Sequence, residues 1–295
     1  MKRTFPPEPK VALDCRNCLG ESIVWDDREG VLHWINIHNR EIWRWNPFSG
    51  DAPVVTPVPV RVGALGLRET RGLVLALEKG FALWRDGELT DLAGVDADQP
   101  TTRLNDGRVD PAGRFVCGGM DEGAPQKPLA RLYSLDARKG VSTLLDGISC
   151  TNSLCWSPDS RTLYFTDMPT RRIDAFDYDL VSGALANRRV FASLKDDPGL
   201  ADGSVVDAEG CLWNAQWQGN KLVRYRPDGN VEREVLLPVS NPTCMAFGGP
   251  DLDILFVTTA WFTLTPEQRA AEPFAGSLFA FRPGVRGRKE ARYAG

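Results

Sequence analysis

The chain has 295 residues, of which 42% are hydrophobic, so it is long enough to bury a large core. Its formal net charge is −4 and its pI is about 5.4. Its one basic run, residues 286–289, is interpreted as solvated surface, so the charge pattern argues against a nucleic-acid partner.

Two further features of the sequence concern the compartment. Lys2 and Arg3 are not followed by an apolar run, and no stretch approaches the ~20 apolar residues of a membrane span, so we expect neither a secretory signal nor a membrane partner. The seven cysteines are an odd and scattered set, which predicts reduced thiols in a cytoplasmic protein. Cys15 and Cys18 form a single C-x-x-C pair, which is more typical of two thiols at a strand end than of a zinc site.

One unit recurs along the chain: a short apolar strand, an Asp/Gly turn, a strand rich in aromatic and β-branched residues, and further strands. Its copies begin near residues 21, 63, 105, 152, 202 and 241. A period of roughly 40 to 50 residues is typical of four-stranded propeller blades. We therefore predict an all-β fold: a six-bladed β-propeller with four-stranded antiparallel blades around a central channel, forming a single domain over residues 1–295.

Details at the blade ends support this interpretation. Residues 10–14 precede the first copy and are expected to supply the outer strand of the last blade. The dipeptides Asp86-Gly87 and Asp228-Gly229 lie where hairpin turns are needed. Helical periodicity is nearly absent, except for one predicted turn over residues 265–271, with Thr265 as its cap and Pro266 at its first position.

Four polar residues occupy the same place in their copies, each five residues before an Asp or Ser: Glu21, Asn105, Asn152 and Asp202. If the copies are arranged about an axis, residues at one phase converge. Two carboxylates and two carboxamides would then form a cluster of hard oxygen donors, which suits Ca²⁺, Mg²⁺ or Mn²⁺.

The alternative is that Asn and Asp simply favour turns before strands, although Glu21 is not a turn former. The matching positions in the second and sixth copies are Gly63, which we expect to leave room for a ligand, and Asn241, a further polar contact.

Other side chains complete the inventory of candidates. Arg103, two residues before Asn105, could hold a polyhydroxyl or anionic substrate by paired hydrogen bonds, with a surface salt bridge as the alternative. His33 and His38 are the only histidines, and we expect both to be ordinary strand or loop residues. No G-x-S-x-G elbow or nucleotide-binding glycine signature is present. The tryptophans at strand positions are interpreted as blade packing: Trp25, Trp34, Trp43, Trp45, Trp156 and Trp213.

The chain resembles the SMP-30/regucalcin/gluconolactonase family of six-bladed propeller lactonases. The resemblance is carried, in order and over nearly the whole chain, by LGES (residues 19–22), RLNDGRVDPAGR (103–114), TN (151–152), DAFDYD (174–179), ADGSVVD (201–207), GCLW (210–213) and FGGPD (247–251). The chain departs from the family pattern at four positions, Ile23, Gly119, Ser153 and Ala201, where Pro, Thr, Gly and Pro are usual.

The resemblance implies a site. A divalent cation is held in such proteins by a Glu, an Asn and an Asp, which match Glu21, Asn152 and Asp202 here. Residues matching Arg103 and Asn105 contact the substrate. Family members open lactones of sugar acids, such as gluconolactone or pentonolactones.

The hypothesis is therefore divalent-metal-dependent hydrolysis of a sugar-acid lactone to the aldonic acid. The metal would act as a Lewis acid and Asp202 as general base, unless a metal-bound water is the effective base. One divalent cation is expected, with Ca²⁺ as first choice and Zn²⁺, Mg²⁺ or Mn²⁺ as alternatives, and a monomer is favoured. Rival functions are a Ca²⁺-binding regulatory propeller without turnover, an organophosphate-hydrolysing propeller, and a pure interaction propeller.

Overall fold

The computed structural model describes residues 5–295, and Lys2 and Arg3, on which the prediction of no secretory signal rests, lie outside them. The regular secondary structure of the described chain is almost entirely strand, arranged as six four-stranded antiparallel sheets. This is a six-bladed β-propeller, so the predicted fold class is confirmed.

The chain divides into two compact units. The first comprises residues 5–59 and 196–289, and it contains blades 1, 5 and 6. Blade 1 consists of β2 (Gly20–Asp26), β3 (Val31–Asn36), β4 (Glu41–Trp45) and β5 (Val54–Pro57). Blade 5 consists of β18 (Leu200–Val206), β19 (Leu212–Trp217), β20 (Lys221–Tyr225) and β21 (Val231–Leu236). Blade 6 consists of β22 (Pro242–Gly248), β23 (Ile254–Thr259), β24 (Leu278–Phe281) and β1 (Lys10–Leu13).

The second unit comprises Val60–Lys195 and Glu290–Gly295, and it contains blades 2, 3 and 4. Blade 2 consists of β6 (Val62–Leu67), β7 (Leu73–Leu77), β8 (Gly80–Arg85) and β9 (Glu88–Gly94). Blade 3 consists of β10 (Thr102–Val109), β11 (Phe115–Asp121), β12 (Ala130–Asp136) and β13 (Gly140–Ile148). Blade 4 consists of β14 (Thr151–Trp156), β15 (Thr162–Asp167), β16 (Arg172–Tyr178) and β17 (Leu185–Ser193), with a short 3₁₀ turn at Met168–Thr170.

Local turn chemistry explains where the strands end. Asp86 and Gly87 connect β8 to β9 with φ values of 53° and 93°, the double left-handed conformation of a two-residue hairpin, as predicted. The expected helical turn is α1 (Pro266–Ala271), and the Thr265 side chain accepts a hydrogen bond from the backbone N–H of Gln268 in a complete capping box. Both predictions are confirmed.

Pairing within blade 6 confirms the prediction for residues 10–14. Strand β1 is antiparallel to β24, with Lys10 opposite Ala280 and Val11 opposite Phe279. The strand from the beginning of the chain is therefore the outer strand of a sheet whose other three strands come from its end.

Aromatic side chains fill the core of each unit. In the first unit the rings of Trp34 and Trp43 stack at a centroid distance of 5.3 Å. In the second unit Phe81 and Phe115 meet edge to face at 6.0 Å. The interpretation of the tryptophans as blade packing is confirmed for five buried members: Trp25, Trp34, Trp45, Trp156 and Trp213.

The cysteines form no disulfide within residues 5–295. All seven are free thiols, and six of them are buried. Within residues 5–295 no helix is long and apolar enough to cross a membrane.

Candidate functional site

In every blade the pairing between the first and second strands shifts in register, at or beside the repeat position that the sequence singled out. The shifts fall between Glu21 and Val24, Val62 and Ala64, Leu104 and Gly107, Asn152 and Cys155, Ala201 and Ser204, and Pro242 and Met245. An extra residue of this kind bends a strand and redirects its side chains. Ser22 and Ser153, which follow Glu21 and Asn152, have φ values of 51° and 64°, in the left-handed region.

In the second unit the structure brings three of the predicted residues together. The side-chain Nδ2 of Asn105 donates to the Thr151 backbone oxygen at 2.9 Å and to Asn152 Oδ1 at 3.4 Å. The Oδ1 of the same amide accepts a hydrogen bond from Arg103 Nη1 at 2.8 Å. Both ends of the Asn105 amide are therefore fixed, with its oxygen toward Arg103 and its nitrogen toward Asn152.

Arg103 is a buried cation rather than a surface one, since only 4% of it is exposed. Its Nε donates to Glu122 Oε1 at 3.1 Å and its Nη1 donates to the Leu104 backbone oxygen at 2.9 Å. Burial lowers the pKa of Arg103, and the neighbouring charge of Glu122 opposes that shift. The salt bridge that the sequence left open as an alternative is present, with Glu122, but the Arg103 side chain is buried rather than on the surface.

In the first unit, Glu21 and Asp202 lie on strands that both contact β22. Glu21 Oε2 accepts a hydrogen bond from the Ser22 backbone N–H at 3.1 Å, and Asp202 is 3% exposed. Thr243 of β22 donates from its Oγ1 to the Gly20 backbone oxygen at 2.5 Å. A Cβ on Gly203 would lie 2.8 Å from the Thr243 backbone oxygen. Fully buried Thr243 therefore lies against the residue before Glu21 and the residue after Asp202.

Asn214 in β19 supports the strand that carries Asp202. Its Nδ2 donates to the Asp202 backbone oxygen and to Ser204 Oγ, both at 3.0 Å, across the register shift. Sequence reasoning missed both Asn214 and Thr243. For Asn214 the available signal was an amide side chain between the apolar residues Trp213 and Ala215, a position typical of buried side chains.

The prediction that Gly63 leaves room for a ligand is wrong. A Cβ there would lie 2.3 Å from the Leu104 backbone oxygen and 2.9 Å from that of Asn105. The space is filled by the backbone of β10, so the glycine allows two strands to approach closely. Asn241 makes the polar contact expected of it, since its Nδ2 donates to the Phe262 backbone oxygen at 3.1 Å.

Within residues 5–295 a different group of potential metal ligands, Asp26, Glu29 and His33, has ligand atoms within 4.8 Å of one another. It lies around the last residue of β2, whereas Glu21 is near the start of that strand. Asp26 Oδ1 accepts the backbone N–H of Arg28 at 2.9 Å, and Glu29 Oε2 pairs with Arg44 at 2.9 Å. These contacts account for the two carboxylates as a turn cap and a surface ion pair.

The chain is similar to known proteins over nearly all of its length. The model of the SMP-30/Gluconolactonase/LRE-like region matches residues 19–261. Regucalcin of Xenopus laevis is 35% identical, covering 94% of this chain and 95% of that protein. L-arabinolactonase of Azospirillum brasilense is 38% identical, covering 96% of this chain and 94% of that protein. The crystal structure of a calcium-binding protein, regucalcin, from Agrobacterium tumefaciens has a TM-score of 0.91 at 32% identity, covering 99% of both chains. The chain therefore belongs to the SMP-30/gluconolactonase/LRE-like family.

Proposed function

We propose that this protein hydrolyses a sugar-acid lactone, such as gluconolactone or a pentonolactone, to the aldonic acid with the help of one divalent cation. The observation that carries the proposal is the linked set of Arg103, Asn105 and Asn152, a buried cation joined through one amide to a second amide. Such a set offers fixed hydrogen-bond donors to a polyhydroxyl ligand. The 38% identity to an L-arabinolactonase supports a lactone as substrate.

Glu21, Asn152 and Asp202 are the residues that would hold the cation. Two carboxylates and one carboxamide oxygen form a hard donor set, which favours Ca²⁺ and also accepts Mg²⁺, Mn²⁺ or Zn²⁺. The Asn152 Oδ1 accepts a hydrogen bond from Asn105 at 3.4 Å, and a carbonyl oxygen keeps a second lone pair for a ligand. When bound, the cation supplies Lewis acidity, which stabilises negative charge on a carbonyl oxygen.

The side chains have distinct roles in this proposal. Asp202 takes a proton from the attacking water as the water oxygen bonds to the lactone carbonyl carbon. The ring C–O bond then breaks, and the proton passes to the ring oxygen, which becomes a hydroxyl of the product. Arg103 and Asn105 hold the carbonyl or the ring hydroxyls by hydrogen bonds, which keeps the reacting atoms aligned.

The alternative function is Ca²⁺ binding without turnover. The solved relative from Agrobacterium tumefaciens is described as a calcium-binding protein, which is the observation that favours this alternative. We also propose a cytoplasmic location and a small-molecule partner, and the seven free thiols support a reducing compartment.

The test is lactone hydrolysis after chelation, followed by adding back Ca²⁺, Mg²⁺, Mn²⁺ and Zn²⁺ singly. Acid release would be followed on glucono-, galactono-, xylono- and arabinonolactone, with a protein-free blank for spontaneous opening. We expect turnover to be lost on chelation and restored by at least one ion. Ca²⁺ binding by calorimetry without turnover of any lactone, from folded protein, would favour the binding function instead.

A further inference from the structure

We propose that Glu122, held in place by Arg61, is a positioning residue for Arg103, and that the charge of Glu122 makes the site prefer a neutral lactone over its anionic product. This inference rests on the proposed lactonase function and deepens it. Neither residue is among the candidates found in the sequence, because Glu122 follows β11 and Arg61 precedes β6, both outside the first strands.

Glu122 joins two guanidinium groups in the second unit. Its Oε1 accepts from Arg103 Nε at 3.1 Å and from Arg61 Nη1 at 2.7 Å, and its Oε2 accepts from Arg61 Nη2 at 2.8 Å. Arg61 also pairs through its Nε with Glu78. The paired bonds between Arg61 and Glu122 fix the plane of the carboxylate, which is then a rigid acceptor for Arg103.

The contacts of Arg103 leave one nitrogen for a ligand. Its Nε is bonded to Glu122, and its Nη1 is bonded to the backbone of Leu104 and to Asn105. Its Nη2 makes no hydrogen bond to any residue between 5 and 295. Because a free arginine side chain has many rotamers, holding two nitrogens in place reduces the entropy lost when the third binds substrate.

The formal charges of this network cancel. Arg61 and Arg103 contribute two positive charges, and Glu78 and Glu122 contribute two negative ones. Arg103 can therefore donate hydrogen bonds to a neutral lactone without a net positive field that would retain the aldonate anion. Removing the charge of Glu122 should weaken this preference, and a purely structural residue would not have that effect.

The experiment compares Glu122→Gln with the wild type and with Glu290→Gln as matched control. Glu290 also accepts two hydrogen bonds from one arginine, Arg108 at 3.2 and 3.0 Å, but none from Arg103. The KM and kcat for the best lactone and the Ki of the matching aldonate would be measured. For Glu122→Gln we expect KM to be about tenfold higher than in the wild type and kcat to stay within about threefold of it. The ratio of Ki to KM should be about tenfold lower. A tenfold change corresponds to ~1.4 kcal/mol.

Two further variants keep the test decisive. In an Arg103→Ala background, Glu122→Gln should leave KM unchanged, because its effect passes through Arg103. Arg61→Gln should raise the ratio of Ki to KM, since it removes a positive charge. This variant is the alternative test if Glu122→Gln does not fold. The side chain of Glu122 is 35% exposed, so circular dichroism should show a native fold.

The outcomes separate the two proposals. If the wild type hydrolyses lactones and Glu122→Gln behaves like Glu290→Gln, only the role of Glu122 is overturned. The same holds if Glu122→Gln still raises KM in the Arg103→Ala background. If the wild type hydrolyses no lactone with any ion, the proposed function fails and this inference fails with it.

Discussion

The side-chain amide of Asn105 in blade 3 donates to the side-chain oxygen of Asn152 in blade 4 at 3.4 Å. The same nitrogen donates to the backbone oxygen of Thr151 at 2.9 Å. A residue proposed to bind substrate is thus in direct contact with one proposed to bind the cation. The two functions should therefore respond together to a change at Asn105.

Asn105→Ala is expected to raise KM and also the metal concentration that gives half-maximal activity, each by several-fold. Loss of the amide removes the acceptor of Arg103 Nη1 and a donor to Asn152 Oδ1, so both atoms are less constrained. Steady-state kinetics over a series of metal concentrations would measure both effects. Arg103→Ala should raise mainly KM, and Asn187→Ala, at an exposed position of blade 4, should alter neither. A normal metal requirement in Asn105→Ala would disprove the coupling.

Asp202→Ala is expected to abolish turnover, by about 10³-fold or more, because in the proposed function one side chain is both ligand and general base. Asp202→Asn keeps the shape and an oxygen donor but removes the base, so it should bind some metal and still fail to turn over. Metal binding by calorimetry and lactone hydrolysis would separate the two losses. Asp196→Ala, exposed in the same unit, is the control. Near wild-type kcat in Asp202→Ala would show that both assignments are wrong.

Gly63→Ala should destabilise the protein and reduce lactone binding. The new Cβ would lie 2.3 Å from the Leu104 backbone oxygen, so β10 must shift, and that strand carries Arg103 and Asn105. We expect a loss of about 1–3 kcal/mol in the free energy of unfolding, the cost typical of overpacking. Gly94→Ala is the matched control, because its Cβ would find its nearest neighbour at 3.8 Å. Denaturant unfolding should give a lower free energy of unfolding for Gly63→Ala than for Gly94→Ala. Equal values would contradict the assigned clash.

Tyr178→Phe should lower the free energy of unfolding by about 1.5–3 kcal/mol, the range for a hydrogen bond to a charged group. The Tyr178 hydroxyl donates to Asp110 Oδ2 at 2.5 Å, and the fully buried Asp110 also pairs with Arg114 Nε at 2.6 Å. Tyr293→Phe is the control, since Tyr293 is also a buried residue but its hydroxyl makes no hydrogen bond within residues 5–295. Urea unfolding would compare the two, and equal losses would refute a special role for the Asp110 contact.

Acid should weaken the fold in part through Glu122. Burial alone would raise the pKa of Glu122, but hydrogen bonds from Arg61 and the charge of Arg103 outweigh it and lower that pKa. The folded state then holds its proton less tightly than the unfolded state. The stabilisation is therefore complete above the unfolded pKa of about 4.3 and is lost as pH falls through the folded pKa.

The check is urea unfolding of the wild type and Glu122→Gln between pH 7 and pH 3. The stability difference between them should shrink as the pH falls, whereas Glu88→Gln, at an exposed position of β9, should show no such trend. A difference that stays constant over this range would contradict the assigned shift.

Local sequence predicted the elements and the outer position of β1 in the last blade, but not the register within the sheets. Asp86-Gly87, Thr265 and the apolar runs each act within a few residues, so their structural effects follow from the sequence alone. The register shifts beside Glu21 and Asn152 depend on which residue of the next strand is opposite, and no spacing in one strand specifies that.

The candidate site shows the same division. Phase along the repeats singled out Arg103, Asn105 and Asn152, which the structure joins by hydrogen bonds. Glu122 was missed because it lies 19 positions beyond Arg103 in a loop, and only the pairing of β10 with β11 brings it back. Gly63 was misread for a related reason, since close approach of a neighbouring backbone leaves no mark in local sequence.

The pairing of β1 with β24 has a consequence for how the protein is made. During synthesis, Lys10–Leu13 leaves the ribosome before any blade exists, and its partner Leu278–Phe281 emerges after the other 22 strands. The first strand must therefore wait unpaired, with its backbone groups in water, until nearly the whole chain is available. Closure of blade 6 is the contact of greatest sequence separation in the sheets, which makes it the natural last step of folding.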